Sequence, residues 1–404
     1  MGRLCFFLIT KQQTDCMKQY LALMAGALLA VVGCSKETGP SGTAGGQAIR
    51  FDMASTGAQT RALNEVSTDA LLRNKSVGVF ASYTGKLTYE NTTVSPDFMY
   101  NQEVKYTSNN VWEYDPVKYW PNDPAEYVSF FAYAPYEAFP GEGSASGIIG
   151  MSRQVDLGDP WINFRLPAFE DQVDLLYGQR QTAVSDGYVY SAWLDQQKMN
   201  WGEGPMKFVF MHALACVGET ITIKMSDALY DEMHGAVDIT VDSVNVTYRN
   251  LTTKARLVLR SAGDPNWKEI ISGELTTSRT YHSGALSGKT FSCGAAANPG
   301  AMTLTTGSGL FYIPLQVAGT PSPAMDIDVH YTVTHTVASG TAVFHDVAST
   351  TLPFNLRNAG TRQGLALTLG AGFNLQADVV TGTWGISMPG TVSPTQDDVT
   401  VTHP

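Results

Sequence analysis

The chain has 404 residues, room for two or three domains at roughly 100–200 residues each. Its 26 basic and 37 acidic residues leave a formal charge of −11, which argues against nucleic acid as a partner. With 44% hydrophobic and 10% aromatic residues, intrinsic disorder is excluded, and 41 threonines beside 38 glycines favour strands and turns over helices.

The first element is an address label. Residues 20–33 form an uninterrupted apolar run of 14, too short for a bilayer span of about 20 residues but suited to a signal-peptide core. Lys18 supplies the positive flank, and Met17 reads as the true start, which makes residues 1–16 an upstream extension. Val31, Val32 and Gly33 before Cys34 resemble a bacterial lipobox, with Cys34 acylated as the mature first residue. Residues 1–34 are then the signal, and 35–61 a Ser/Gly/Thr-rich tether that ends in one strand. In that strand Ile49, Phe51 and Met53 alternate onto a single apolar face. It precedes Thr60-Arg61-Ala62, a trypsin-like cleavage sequence; the plain alternative is a first sheet strand with a surface arginine after it. Of five cysteines only Cys216 and Cys293 remain in the body, in different halves of it, and they read as two separate thiols.

The body changes texture near residue 225. Residues 62–225 hold 26 aromatics against 12 in 226–404, and 28 of the 41 threonines follow residue 218, which predicts two domains divided there. In chain order, period-two patterns predict strands over 76–83, 127–133, 206–214, 219–224, 237–248, 255–259 and 326–333. A hairpin closes the series, 364–369 with 373–379 around Gly370-Ala371-Gly372, and the only helical turn predicted is at 226–234. Many short strands with turns between them predict an all-β chain built of β-sandwiches. No other apolar run is long enough to cross a membrane.

Several strings together resemble the fimbrillin family, subunits of type V pili of Gram-negative anaerobes and their surface-lipoprotein relatives. They are the lipobox at Cys34, the strand and Thr-Arg-Ala at 49–62, VGVFA at 77–81, WEYDPVKYWP at 112–121 and VSFFAYAP at 128–135. DLLYG at 174–178, FVFMHALA at 208–215 and the last hairpin leading to Trp384 complete the ordered set. The resemblance implies two tandem transthyretin-like β-sandwich domains, 62–225 and 226–404, the second with a C-terminal tail. It also implies export as an outer-membrane lipoprotein, cleavage by an Arg-specific protease between Arg61 and Ala62, and loss of the first strand. The groove so opened would take a strand from another subunit, in a cell-surface fimbrium. In the family the donor comes from the C-terminal region; here the candidates are the segment with Val379 and Val380 and the shorter one with Val399 and Val401. Alternatives are a pilus tip or anchor subunit, or a surface lipoprotein that never polymerises and binds glycan or a host protein. Cleavage would remove 6 basic and 3 acidic residues, leaving 20 and 34, a charge of −14.

Catalytic chemistry finds no support in the sequence. There is no G-x-S-x-G and no H-E-x-x-H, and nothing points to a cofactor or a metal. His212 lies inside an apolar strand and reads as a hydrogen-bonded core histidine; Glu170, Asp171 and Asp174 read as a solvated turn rather than paired catalytic acids. Trp112, Tyr114, Tyr119 and Trp120 suit core packing better than a sugar platform. For Tyr188, Tyr190, Trp193 and Trp201, among Gln, Asn and Gly, the two readings are balanced. Asp242-Ser243-Val244 resembles a short O-glycosylation acceptor, with Ser243 as the modified residue.

Overall fold

The computed structural model describes residues 46–55, 68–202, 204–270, 277–282, 289–306 and 309–383. It is all-β apart from short helices. The chain runs through β1 (Phe51–Ser55), α1 (Thr68–Lys75), β2 (Val77–Gly85), β3 (Met99–Tyr106), β4 (Trp112–Glu113) and β5 (Tyr127–Ala134). Then come β6 (Ile148–Met151), β7 (Trp161–Arg165), β8 (Leu176–Val184), β9 (Gly187–Ser191), β10 (Trp193–Gln196), β11 (Met206–His212) and β12 (Ala215–Met225). Helix α2 (Asp227–Met233) leads to β13 (Val237–Leu251), β14 (Lys254–Ala262), β15 (Asp264–Lys268), β16 (Thr277–His282), β17 (Lys289–Ser292), β18 (Met302–Thr306) and β19 (Leu310–Tyr312). Long strands end the series: β20 (Ala324–Val337), β21 (Gly340–Pro353), β22 (Thr361–Leu369) and β23 (Leu375–Thr383).

The first sheet has the order β1-β11-β8-β5-β2-β3-β4, with β9 beside β8 and β10 beside β5. Its middle strands are buried on both faces. Val128, Phe130 and Ala132 of β5 enter one apolar cluster and Phe131 and Tyr133 enter another. That explains why this stretch reads as a nearly continuous apolar run rather than a strict alternation. The second of these clusters is roofed by a four-stranded sheet, β6-β7-β14-β15. Ile162, Phe164, Ala255, Leu257 and Leu259 point into it, while Trp161, Asn163, Arg165, Lys254 and Arg256 lie on the other face. The β14–β15 hairpin, which follows residue 226, therefore packs on strands that precede it.

Two further sheets, β18-β12-β22-β23 with β19 and β16-β13-β20-β21 with β17, face each other as a sandwich. Ile221, Ile223, Leu365 and Leu367 from one meet Val244, Val246, Ile327 and Val329 from the other in the largest cluster. The predicted strands all occur, and α2 takes the place of the predicted helical turn. Ser226 caps it, accepting from the Leu229 backbone N–H at 3.1 Å. Strands β3, β4, β6–β10 and β15–β19 were not predicted, and neither were helix α1 and the long strand β21. The one is a single short helix whose buried Leu71 and Leu72 are adjacent, so no helical period shows. The other is largely exposed and carries no alternation, yet it pairs with β20 from Ala324↔Pro353 to Val337↔Gly340.

Gly78 shows how close the first sheet packs. It lies opposite Tyr133, and a methyl group there would run into that buried ring, whose hydroxyl donates to Asn101 Oδ1 at 2.7 Å. Gly78→Ala is expected to cost about 1–3 kcal/mol in urea unfolding. Gly141→Ala, where the methyl meets open space, should stay within about 0.5 kcal/mol of the parent.

Candidate functional site

The chain docks its first strand at a sheet edge, residues 51–55 pairing with β11 and the preceding residues 47–49 with 118–120. Residues 51–55 run parallel to β11, Phe51 opposite Met206 and Phe210 opposite Ser55, and the Met206 N–H donates to the Arg50 carbonyl at 2.7 Å. Just before it Ala48 bridges Tyr119. The Ile49 N–H donates to the Lys118 carbonyl at 2.9 Å, and the Trp120 N–H donates to the Gln47 carbonyl at 3.0 Å. The Tyr114 hydroxyl donates to the Ile49 carbonyl at 2.8 Å.

Side chains complete the fit. Ile49, Phe51 and Met53 are 1%, 4% and 8% exposed, so all three sequence-predicted apolar residues enter one groove. The Phe51 ring lies 5.4 Å from Tyr114, 5.9 Å from Phe130 and 6.0 Å from Phe208, centroid to centroid. Leu71 and Leu72 of α1, Trp120 and Trp193 belong to the same cluster. At roughly 1.5–3 kcal/mol for each fully buried large side chain, Phe51 and Met53 on β1 and Ile49 just before it form a substantial apolar anchor.

The other predicted positions fall as follows. Cys34, Arg61, Ala62, Val399 and Val401 lie outside the described residues. Val379 and Val380 sit in β23, which pairs with β22 over its whole length. Val379 packs on the sandwich core and Val380 is 59% exposed. Ser243 is half-buried in β13 opposite His330, beside a register shift after Val241. His212 is buried with its Nδ1 at 2.5 Å from Asp174 Oδ2, so Asp174 serves a core contact and not an open turn. Cys216 and Cys293 are separate buried thiols, and burial pushes the Cys293 thiol up.

Of the aromatic residues that had suited either a sugar platform or packing, Trp112, Tyr114, Trp120, Trp193 and Trp201 are committed to packing, whereas Tyr188 on β9 is exposed. Trp193 is buried, edge-on to Trp201 at 5.1 Å and to Phe208 at 6.2 Å, next to the groove. Trp112 and Tyr114 are half-buried against the same cluster and Trp120 is buried in it. What the sequence did not disclose is the far wall of the slot. The 118–120 backbone pairs through a bridge outside any regular strand, and no hydrophobic period marks it. Among the described residues no three His, Cys, Asp or Glu side chains gather to hold a metal ion, and no helix is long and apolar enough to cross a membrane.

An all-β chain with a face-to-face sandwich and a first strand docked at a sheet edge defines the structural class. Residues 60–384 match the fimbrillin-like family, and the chain belongs to it. It is 32% identical over 201 residues to fimbrium subunit Fim1C of Phocaeicola vulgatus, a match covering 48% of each chain, so the chain spans about half the length of that relative. Its fold is similar to the crystal structure of a fimbrial protein from Bacteroides vulgatus, with a TM-score of 0.62 and 21% identity over 83% of this chain and 99% of that one.

Phe51→Ala should cost the docked strand about 3–5 kcal/mol. The expected readout is lost hydrogen-exchange protection over 49–55, with β22 and β23 unchanged. Burial pushes the Tyr114 hydroxyl up, so it stays a neutral donor to Ile49 through the neutral range. Its proton is held more tightly in the folded than in the unfolded chain, so this stabilisation is complete below pH about 10 and declines as pH rises further. Tyr114→Phe should therefore unfold about 1 kcal/mol more easily at pH 7, with a gap to the parent that narrows above pH about 10.

Proposed function

We propose that the protein is a subunit of a cell-surface fimbrium, exported as a lipoprotein anchored through Cys34 and matured by an Arg-specific protease between Arg61 and Ala62. Its role is mechanical: adhesion through a polymer whose joints are exchanged strands. The observation that carries this reading is β1, a self-supplied edge strand whose Ile49, Phe51 and Met53 fill a groove that the rest of the chain does not otherwise fill. Arg61 lies between that strand and α1, and the family match begins at residue 60, leaving β1 outside it.

The physics of the step is that of a tether cut. While joined, β1 competes for the groove at an effective concentration on the order of millimolar. Once cut, it competes only at its concentration in solution, and another chain's strand can replace it. The vacated slot presents unpaired backbone on β11 and on 118–120, a template for strand addition. A donor running antiparallel to β11 would form the more stable ladder per residue. Of the two donor candidates, Val379 and Val380 lie in a strand already paired with β22, which leaves the donor role to the segment with Val399 and Val401. The two tandem sandwiches divided at 225/226 also belong to this proposal. A core cluster of residues between Ala215 and Leu375 supports the second sandwich, though it takes in β12 from before that division.

A second reading keeps β1 in place, as in an anchor, a tip or a stand-alone surface binder of glycan or host protein. The complete pairing of β23 within its own sheet favours it to the extent that it removes one of the two donor candidates. The N-terminus of the protein on native cells decides between them. Peptide mass spectrometry should find a chain beginning at Ala62, and Arg61→Ala should abolish polymers while monomer persists. Fibres built from chains that keep residues 49–61 attached to an acylated Cys34 would overturn the maturation step.

A further inference from the structure

The sheet β6-β7-β14-β15 turns one face into the core and the other to solvent, and the solvent face gathers cations on an acidic chain. Across the strands Arg165 lies opposite Lys254, and Arg256 lies between Asn163 and Lys268. Like charges directly opposite one another on a sheet are destabilising, and the inward residues that build this sheet do not require them. Glu142 takes up Lys254 at 3.1 Å and Arg165 at 3.6 Å. No carboxylate among the described residues is within ion-pair distance of Arg256 or Lys268. The nearest charge effect is on Asp156, whose carboxyl is held low by Arg153 and, more weakly, by Arg256. Arg256 is pinned flat, its guanidinium 3.7 Å from the Trp161 ring centroid and its Nε donating to Asn163 Oδ1 at 3.0 Å.

We propose that this face binds an extended anionic polysaccharide, one carrying carboxylates or sulfates. The strip from Lys254 to Arg260 is about 20 Å long at ~3.3 Å per residue. It opens at one end into a cleft of about 820 Å³ lined by Asp159, Arg180, Arg260, Asp264 and Asn266. Arg260 is already held by Glu90 and by Asp159, so the cations without a carboxylate partner among the described residues are Arg256 and Lys268 on the face and Arg180 in the cleft, while the carboxylates and amides there accept from and donate to sugar hydroxyls. Among the described residues, none of the large exposed apolar side chains lies on these four strands. The face thus lacks the apolar centre that a protein partner would bury. Duplex DNA, with one charge per about 1.7 Å, is the control that separates recognition of a polysaccharide from attraction of any polyanion.

The test uses the full chain on immobilised polygalacturonate and heparin, with neutral dextran and duplex DNA alongside. Retention on one or both acidic polysaccharides at low salt, release as salt rises and no retention on dextran or DNA are expected. The arm that retains it says whether carboxylate or sulfate is preferred. The pair change Arg256→Glu with Lys268→Glu should weaken retention at least about tenfold. Lys105→Glu with Lys224→Glu, the same change in net charge elsewhere, should retain binding. No retention of the parent, equal retention on DNA, or equal loss in the control pair would overturn the proposal. Salt-sensitive self-association abolished by the Arg256/Lys268 pair, without polysaccharide retention, would also overturn it and assign the face to a second copy of the chain.

Discussion

The backbone of residues 47–55 finds hydrogen-bond partners in two places far apart in sequence, 51–55 on β11 and 47–49 on 118–120. Buried backbone groups left without partners are costly. The slot must therefore be filled by some strand, and only the identity of that strand is open to change. Phe51 makes the filling selective. Its ring touches Tyr114, Phe130 and Phe208, so a replacement that lacks a large residue in that register loses most of the apolar gain. The proposed function rests on this edge, which is satisfied while residues 47–55 occupy it.

The rest of the fold keeps that slot rigid. β5 and β2 are buried on both faces, so the sheet carrying the groove cannot bend without disturbing two clusters at once. The β14–β15 hairpin closes one of them from a distant part of the chain, and Trp267 on it donates to the Ala213 carbonyl at 2.8 Å, just beyond β11. The sandwich that follows is continuous with β11 through β12, where Cys216 belongs to one cluster while Ala215 and Val217 belong to another. Strain on β11 is thus borne by a packed core on either side.

Much of this was legible in the residues. Ile49, Phe51 and Met53 show their common face by period alone, and the strands at 206–214, 237–248 and 364–379 announce themselves by alternation or by a turn between apolar runs. The family resemblance supplied the expectation of a groove for that strand, which composition and spacing do not show. The 118–120 wall escaped because its pairing is backbone-only, and α1 escaped because two adjacent leucines mark no helical period. β21 escaped for the opposite reason: most of its side chains face solvent, so its strand character lies in the ladder with β20 and not in its pattern. The basic face of β7 and β14 was invisible for a simpler cause. Arg165 and Arg256 are far apart in sequence and meet only through antiparallel register.

The most direct measurement of the central claim is hydrogen exchange on the purified chain before and after cleavage following Arg61. If β1 is an exchangeable filling, cleavage and removal of the released piece should strip protection from β11 and from Lys118 to Trp120, while β22 and β23 keep theirs. Adding back a peptide with the sequence of residues 46–61 should restore it. Unchanged protection of β11 after the strand has gone would mean that the edge does not depend on it, and the account would be wrong.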